Sequence, residues 1–282
     1  MLGFIGLGMM GHPMAGNLLG KGRALLTCDA AGASLEGAEA LADAASMAGR
    51  ADTIILMLPD SAAVGTVLSE LEPALRPGTL ILDMGSSQPA ETRRWGARLA
   101  ARGCTLVDAP VSGSVVKARA GTLAIMAGGT PADLDRAEPV LALMGEAVIR
   151  TGPLGSAHAM KALNNYVYAA GLLAVSEAAL IAEREGLDPA ILARVLNASS
   201  GRNVASETKL AQEITSGRYA GGFQLGLMRK DIETAAAMAA AAGAPARLLS
   251  LLRAEWAAAV TALGPRADNT EIHRHLAQGR HP

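Results

Sequence analysis

Residues 1–20 read Met-Leu-Gly-Phe-Ile-Gly-Leu-Gly-Met-Met-Gly-His-Pro-Met-Ala-Gly-Asn-Leu-Leu-Gly. A short apolar run (Leu2, Phe4, Ile5) enters glycines spaced G-x-G-x-x-G at Gly6, Gly8 and Gly11, and an apolar helical pattern follows through Met14, Leu18 and Leu19. A strand, a tight turn and a helix are predicted in that order. The three glycines do different things. Gly6 lets the chain turn sharply, Gly8 lets backbone N–H groups approach a pyrophosphate, and Gly11 lets helix pack close on strand. With Leu7, Met9 and Met10 between them, they form a candidate phosphate cradle at a helix N-terminus, whose unpaired N–H donors carry partial positive charge. The spacing alone is a weak signal, equally compatible with an ordinary turn. Its context makes it specific. The next apolar run, residues 24–28, ends in Asp29, 23 residues beyond Gly6 and close to the ~20 expected for a carboxylate that binds the adenosine ribose hydroxyls. Asp29 would repel a 2′-phosphate, and no Arg or Lys stands at residues 30–33 to accept one, so NAD is favoured over NADP.

At 282 residues the chain can form two domains with a well-buried core. A net charge of −1 offers no electrostatic footprint for nucleic acid or an anionic membrane. Cys28 and Cys104 lie in apolar runs that read as strands, so buried free thiols and a reducing, cytoplasmic setting are expected. The apolar N-terminus lacks a basic leader and is broken by glycines, which argues against a signal peptide. The apolar stretch Val167 to Ala182 contains Glu177 and falls short of the ~20 residues a bilayer needs, so it reads as a buried helix.

Residues 38–49 read as an Ala-rich helix. Further on, residues 53–58 and 79–84 are continuous apolar runs of the kind that central parallel strands show, with helical patterns at 61–75 and 90–102. A strand at 104–107 and a last strand-like segment at 122–127 precede a helix at 131–144. Alternating strands and helices predict an α/β Rossmann-type, doubly wound and mainly parallel sheet over residues 1–155. In such sheets ligands bind beyond the strand C-terminal ends, where the glycine turn, Leu58-Pro59, Ser86 and Ser112-Gly113 would gather. From residue 156 onward strand-like runs disappear, and breaks at 186–189, 199–201, 221–222, 243–245 and 264–265 divide an all-helical domain, residues 156–282. The tail after Gly279 is expected to fray.

The candidate chemistry begins the long apolar helix. Lys161 and Asn165 are four residues apart and share a helix face, with Asn164 close by. Two consecutive Asn residues are poor helix formers, so something other than local stability is expected to retain them. The chain has only five lysines (21, 117, 161, 209, 230), and burial next to a cofactor cleft is how a Lys acquires a useful pKa.

The chain resembles the β-hydroxyacid dehydrogenases, the group that includes 3-hydroxyisobutyrate dehydrogenase, tartronate semialdehyde reductase and 6-phosphogluconate dehydrogenase. The resemblance covers nearly its whole length and rests on residues 3–15 with Asn17, the segment Asp108-Ala-Pro-Val-Ser-Gly113, Gly121-Thr-Leu123 with Gly128-Gly129, Lys161 with Asn164-Asn165, and Lys230-Asp231. It implies a helical second domain of the 6-phosphogluconate dehydrogenase type, Lys161 as general acid/base, and Asn165 as the residue that orients substrate and lysine. It also implies that Ser112 and Gly113, with Ser114 and Asn164 beside them, hold the substrate carboxylate. Leu58, Pro59 and Ser86 would line the nicotinamide side of the cofactor, and Lys230 would reach over it. Asp231 is left open between a catalytic role and a structural partner of a nearby base.

Ser114 stands where the family usually has a second glycine, and Lys117 follows, so the identity of the acid is open among 3-hydroxyisobutyrate, tartronate semialdehyde, threonate-type and hydroxysulfonate substrates. An imine reductase is disfavoured because such enzymes usually lack the lysine. A cofactor-binding module without catalysis is disfavoured by the intact Lys161 and Asn165. His273 and His275 read as part of a polar tail, His12 and His158 as local or capping residues, and no metal site is expected. The length of the apolar helix predicts self-association as a homodimer or homotetramer.

Overall fold

The computed structural model describes residues 1–279. The chain divides into two compact units, Met1–Lys161 and residues from Ala162 onward. In the first unit, strands β1 (Leu2–Ile5), β2 (Leu25–Cys28), β4 (Thr53–Leu56), β5 (Leu80–Asp83) and β6 (Thr105–Asp108) are parallel neighbours in the order β2-β1-β4-β5-β6, with the two-residue β3 (Glu39–Ala40) outside β2. Their residues are buried on both faces because helices cover the sheet twice. One layer packs α1 (Gly11–Gly20), α5 (Val115–Ala120) and α6 (Pro131–Leu141) on Phe4, Ile55, Leu82 and Val107. The other packs α2 (Ala45–Ala48), α3 (Ser61–Leu71) and α4 (Pro89–Ala100) on Ile5, Ile54, Leu56 and Ile81.

Beyond β6 the sheet turns antiparallel. After Ala109-Pro110 the chain resumes as β7 (Val111–Ser112), and both β6 and β7 pair in one continuous register with β8 (Leu123–Gly128). Pro110 has no N–H to give, but its carbonyl still accepts from Met126 N–H. The outer edge is β9 (Gly145–Gly152), parallel to β8. This strand escapes the sequence reading because it is an edge strand with much of its length exposed, so it shows no apolar run. The helix expected at 38–49 is also corrected. Glu39 and Ala40 pair with Leu26 and Thr27, and only Ala45–Ala48 is helical. Sheet pairing at the β2 edge overrides the helical propensity of an Ala-rich segment too short to hold a helix alone.

The helix α7 (Ser156–Arg184) is 29 residues long, and its first turns, through Lys161, belong to the first unit. By length and composition alone it meets the test for crossing a membrane, a test that the core helix of a soluble protein also passes, so only the expectation about length drawn from residues 167–182 is corrected. Within the second unit, however, Ala162, Ala169, Leu172, Val175 and Ala179 form a buried stripe on the core. That core is closed by α8 (Pro189–Ala198), a π-helical segment Ser206–Ile214, α9 (Leu225–Ala241), α10 (Arg247–Leu263) and α11 (Ile272–Ala277) around a fully buried Trp256. His273 and His275 lie in α11 and are buried, not in a polar tail. The tail beyond Gly279 lies outside the described residues.

Candidate functional site

The loops that follow β1, β4 and β5 press on one another at the C-terminal edge of the sheet. Gly6 adopts φ +97, and a Cβ there would lie 2.4 Å from the Met57 carbonyl oxygen. A Cβ on Gly11 would lie 1.9 Å from the Gly6 carbonyl oxygen, and one on Gly85 would lie 2.5 Å from that of Leu58. Backbone-to-backbone contact of this kind admits only glycine, and it brings Gly6–Gly11, Leu58 and Ser86 together. Around Gly8 the space is open.

The cradle fits a dinucleotide. The N–H groups of Gly8, Met9 and Met10 find no acceptor among the described residues. Met10, at the N-cap of α1, supplies no side-chain acceptor, and the first turn holds no acid. Helix N-termini left this way accept anions. Asp29, half-buried at the end of β2, accepts from Leu7 N–H at 2.7 Å through Oδ2 and from Ala31 N–H at 2.9 Å through Oδ1. Oδ1 also accepts from Ala33 N–H at 3.4 Å, so the acid that would bind the ribose is held against the glycine loop with one lone pair left for a hydroxyl donor. Met9 is exposed, Leu7 is buried and Pro59 is exposed beside half-buried Leu58.

Beneath these loops is a buried polar network that the sequence reading missed. Asp108, at the end of β6, is completely buried and accepts from Gly155 N–H at 2.8 Å and from His158 N–H at 2.9 Å, one carboxylate oxygen for each. It therefore fastens the first turn of α7. Burial pushes its carboxyl above the usual value, against the opposing pull of His158 and the backbone donors. A Cβ at Gly128 would sit 2.5 Å from Asp108 Oδ1, which accounts for that glycine. Asp83, equally buried at the end of β5, accepts from Gly85 N–H at 3.1 Å and from the Ser87 hydroxyl at 2.7 Å.

His158 lies between the two acids, its Nε2 3.8 Å from Asp83 and its Nδ1 3.9 Å from Asp108. Thr92 Oγ1 is hydrogen-bonded to His158 Nδ1 at 2.8 Å and lies 3.1 Å from the Gln88 carbonyl oxygen. His158 is therefore a core residue. A polar residue at a strand end followed by small residues was the available signal.

Ser112 is half-buried, whereas Gly113 and Ser114 are exposed at the start of α5. Lys161 is half-buried on the second turn of α7. In the second unit Asn165 is buried and donates through Nδ2 to Asp231 Oδ2, while exposed Asn164 donates to Asn165 Oδ1 at 3.1 Å. Asp231, on α9 and also buried, lies 3.3 Å through Oδ1 from the Lys230 ammonium. Its carboxylate is the common partner of Asn165 and Lys230.

Known proteins match most of the chain. A family profile described as the NAD binding domain of 6-phosphogluconate dehydrogenase matches residues 1–152, and one described as the NAD-binding domain of NADP-dependent 3-hydroxyisobutyrate dehydrogenase matches residues 155–276. The 2-(hydroxymethyl)glutarate dehydrogenase of Eubacterium barkeri is 36% identical over 239 residues, 82% of this chain and 79% of the relative. The chain belongs to the β-hydroxyacid dehydrogenase family. The NAD-dependent L-serine dehydrogenase of Pseudomonas aeruginosa is 36% identical over 89% of both chains. The 3-hydroxyisobutyrate dehydrogenase of Mycobacterium tuberculosis, solved with L-serine, superposes with a TM-score of 0.90 at 33% identity over 98% of both chains. The family assignment makes the chain an NAD-dependent oxidoreductase, and the Gly6–Gly11 cradle with Asp29 agrees with NAD as its cofactor.

Proposed function

We propose that this β-hydroxyacid dehydrogenase interconverts the primary alcohol of a small 3-hydroxyacid and the corresponding semialdehyde, with Lys161 as general acid/base. The substrates named for the three relatives share the skeleton HOCH2–CHX–COO−, with X a methyl, an amino or a carboxyethyl group. That common part is the substrate class we assign. Bound NAD supplies the hydride acceptor in oxidation and, as NADH, the donor in reduction. Lys161 Nζ takes the hydroxyl proton in oxidation and returns it to the carbonyl oxygen in reduction. Asn165 orients substrate and lysine. The Ser112 hydroxyl and Gly113 N–H bind the carboxylate, with Ser114 and Asn164 completing the polar set. Leu58, Pro59 and Ser86 border the nicotinamide side of the cofactor, and Lys230 binds it from α9.

One observation carries this reading. Asp108 opens the segment that ends in Ser112-Gly113 and, with both carboxylate oxygens, holds the first turn of the helix bearing Lys161. Substrate segment and acid/base helix thus share a buried anchor in the unit whose glycine cradle fits a dinucleotide.

The test is NADH formation with 3-hydroxyisobutyrate, L-serine, glycerate, threonate and a hydroxysulfonate, for the wild type and Lys161→Ala. A kcat loss of about a thousandfold in the variant, with NAD affinity kept within about twofold, is expected for a general acid/base. NAD binding without turnover of any acid would replace the reading with a non-catalytic module. We also propose a cytoplasmic protein, on the two free cysteines, and self-association through exposed apolar residues of the second unit such as Val167, Ile181 and Ile191. Light scattering on the eluted protein tests the latter, a monomer at working concentration overturning it.

A further inference from the structure

The glycine cradle borders a cavity of about 590 Å3 walled by Gly8, Met9, His12, Pro13 and Gly16 from the loop and α1, and by Arg119 from α5. No acidic side chain lines it. The short helix α5 is held against α1 by three features. Asn17 Nδ2 donates to the Ala118 carbonyl at 2.6 Å. Ala118 is completely buried in the core. Gly121 ends the helix in the left-handed conformation, against the Asn17 side chain. With Ala118 fixed inward, the neighbouring positions point elsewhere. Lys117 lies 3.5 Å from Glu146, whereas Arg119 has no hydrogen-bond or ion-pair partner among the described residues and lines the cavity.

We propose that Arg119 is a diphosphate-binding residue of the cofactor site. The proposal rests on the NAD assignment and adds to the glycine loop a side chain that the fingerprint does not contain. The loop offers neutral donors only, the free N–H groups of Gly8, Met9 and Met10. A dinucleotide brings two negative charges to that place. A guanidinium presents a planar fork of N–H donors that matches phosphate oxygens, and it stays charged at any working pH. The competing role for Arg119 is to complement the C-terminal dipole of α5, where it occupies the last turn. A helix of six residues has little dipole to complement, and Lys117 serves the same end.

Calorimetric titration of ADP-ribose and of adenosine into the full chain tests the proposal, using wild type, Arg119→Gln and Arg119→Lys, with thermal melts of each. In Arg119→Gln the Kd for ADP-ribose is expected to rise about tenfold, the equivalent of one charge-assisted hydrogen bond, and that for adenosine to stay within about twofold. Arg119→Lys should fall between, and the penalty should shrink at high salt. Unchanged ADP-ribose affinity in Arg119→Gln overturns the proposal, whether or not the melting temperature drops. Equal weakening of adenosine also overturns it, because that marks general damage to the α1–α5 packing. Wild-type protein that binds no ADP-ribose overturns the cofactor assignment as well, so the two failures are distinguishable.

Discussion

The glycine cradle of the first unit and the Asn165–Asp231–Lys230 cluster of the second are built on opposite principles. The cradle is made of backbone: three loops in van der Waals contact through glycines, with N–H groups left unpaired. The cluster is made of side chains, a buried carboxylate holding an amide and an ammonium. Backbone sites tolerate no added atom where chains touch, whereas side-chain sites tolerate no lost partner. The two should therefore fail differently.

The largest effect is expected from Gly11→Ala. Its Cβ would meet the Gly6 carbonyl oxygen, which a packed strand end cannot move aside, so a loss of about 3 kcal/mol or failure to fold is expected, read by denaturant unfolding. Asp231→Asn comes next. It keeps the shape of the cluster but removes the charge that faces Lys230 and leaves one acceptor oxygen where Asn165 and Lys230 each faced one, and a fall in kcat/KM of roughly tenfold to a hundredfold is expected. A drop in kcat that exceeds any rise in KM would mark loss of orientation rather than of binding. Gly8→Ala sharpens the contrast within the cradle. Nothing in the protein lies within 4 Å of the new Cβ, so the melting temperature should hold while NAD affinity falls about tenfold. Equal losses in Gly8→Ala and Gly11→Ala stability would refute the distinction between contact and ligand-approach glycines.

The smallest effect concerns pH. Burial holds His273 below its ordinary value of 6.5, against the pull of Glu183. The unfolded chain therefore binds a proton at a higher pH than the folded one. The stability due to the neutral ring is present above the unfolded value and is lost as pH falls through the folded one. His273→Gln should flatten the decline in melting temperature on acidification below neutrality, and an unchanged slope would assign that decline to other groups.

Much of the first unit was legible because its determinants are local. The Gly6–Gly11 spacing, Asp29 at the next strand end and the apolar runs of β4 and β5 each depend on neighbours in sequence. The edge strand β9 was not legible, since half-exposed residues show no apolar run. Nor was the segment 38–49, where pairing to Leu26 and Thr27 outweighed helix propensity. Among the candidate site residues, Lys161 and Asn165 stood out by spacing on one helix, but the partner of Asn165 lies 66 residues away.

By itself the sequence determined the strand–turn–helix cradle, the preference for NAD and the order of the two units, because chain sterics and helical periodicity act over a few residues. Only the tertiary structure decided that Asp108 fastens the helix of Lys161, that His158 is buried between two aspartates, and that Asp231 serves both Asn165 and Lys230. Burial converts an ordinary polar residue into one that must find a partner, and the partner is chosen by which strand ends and helices the fold brings together.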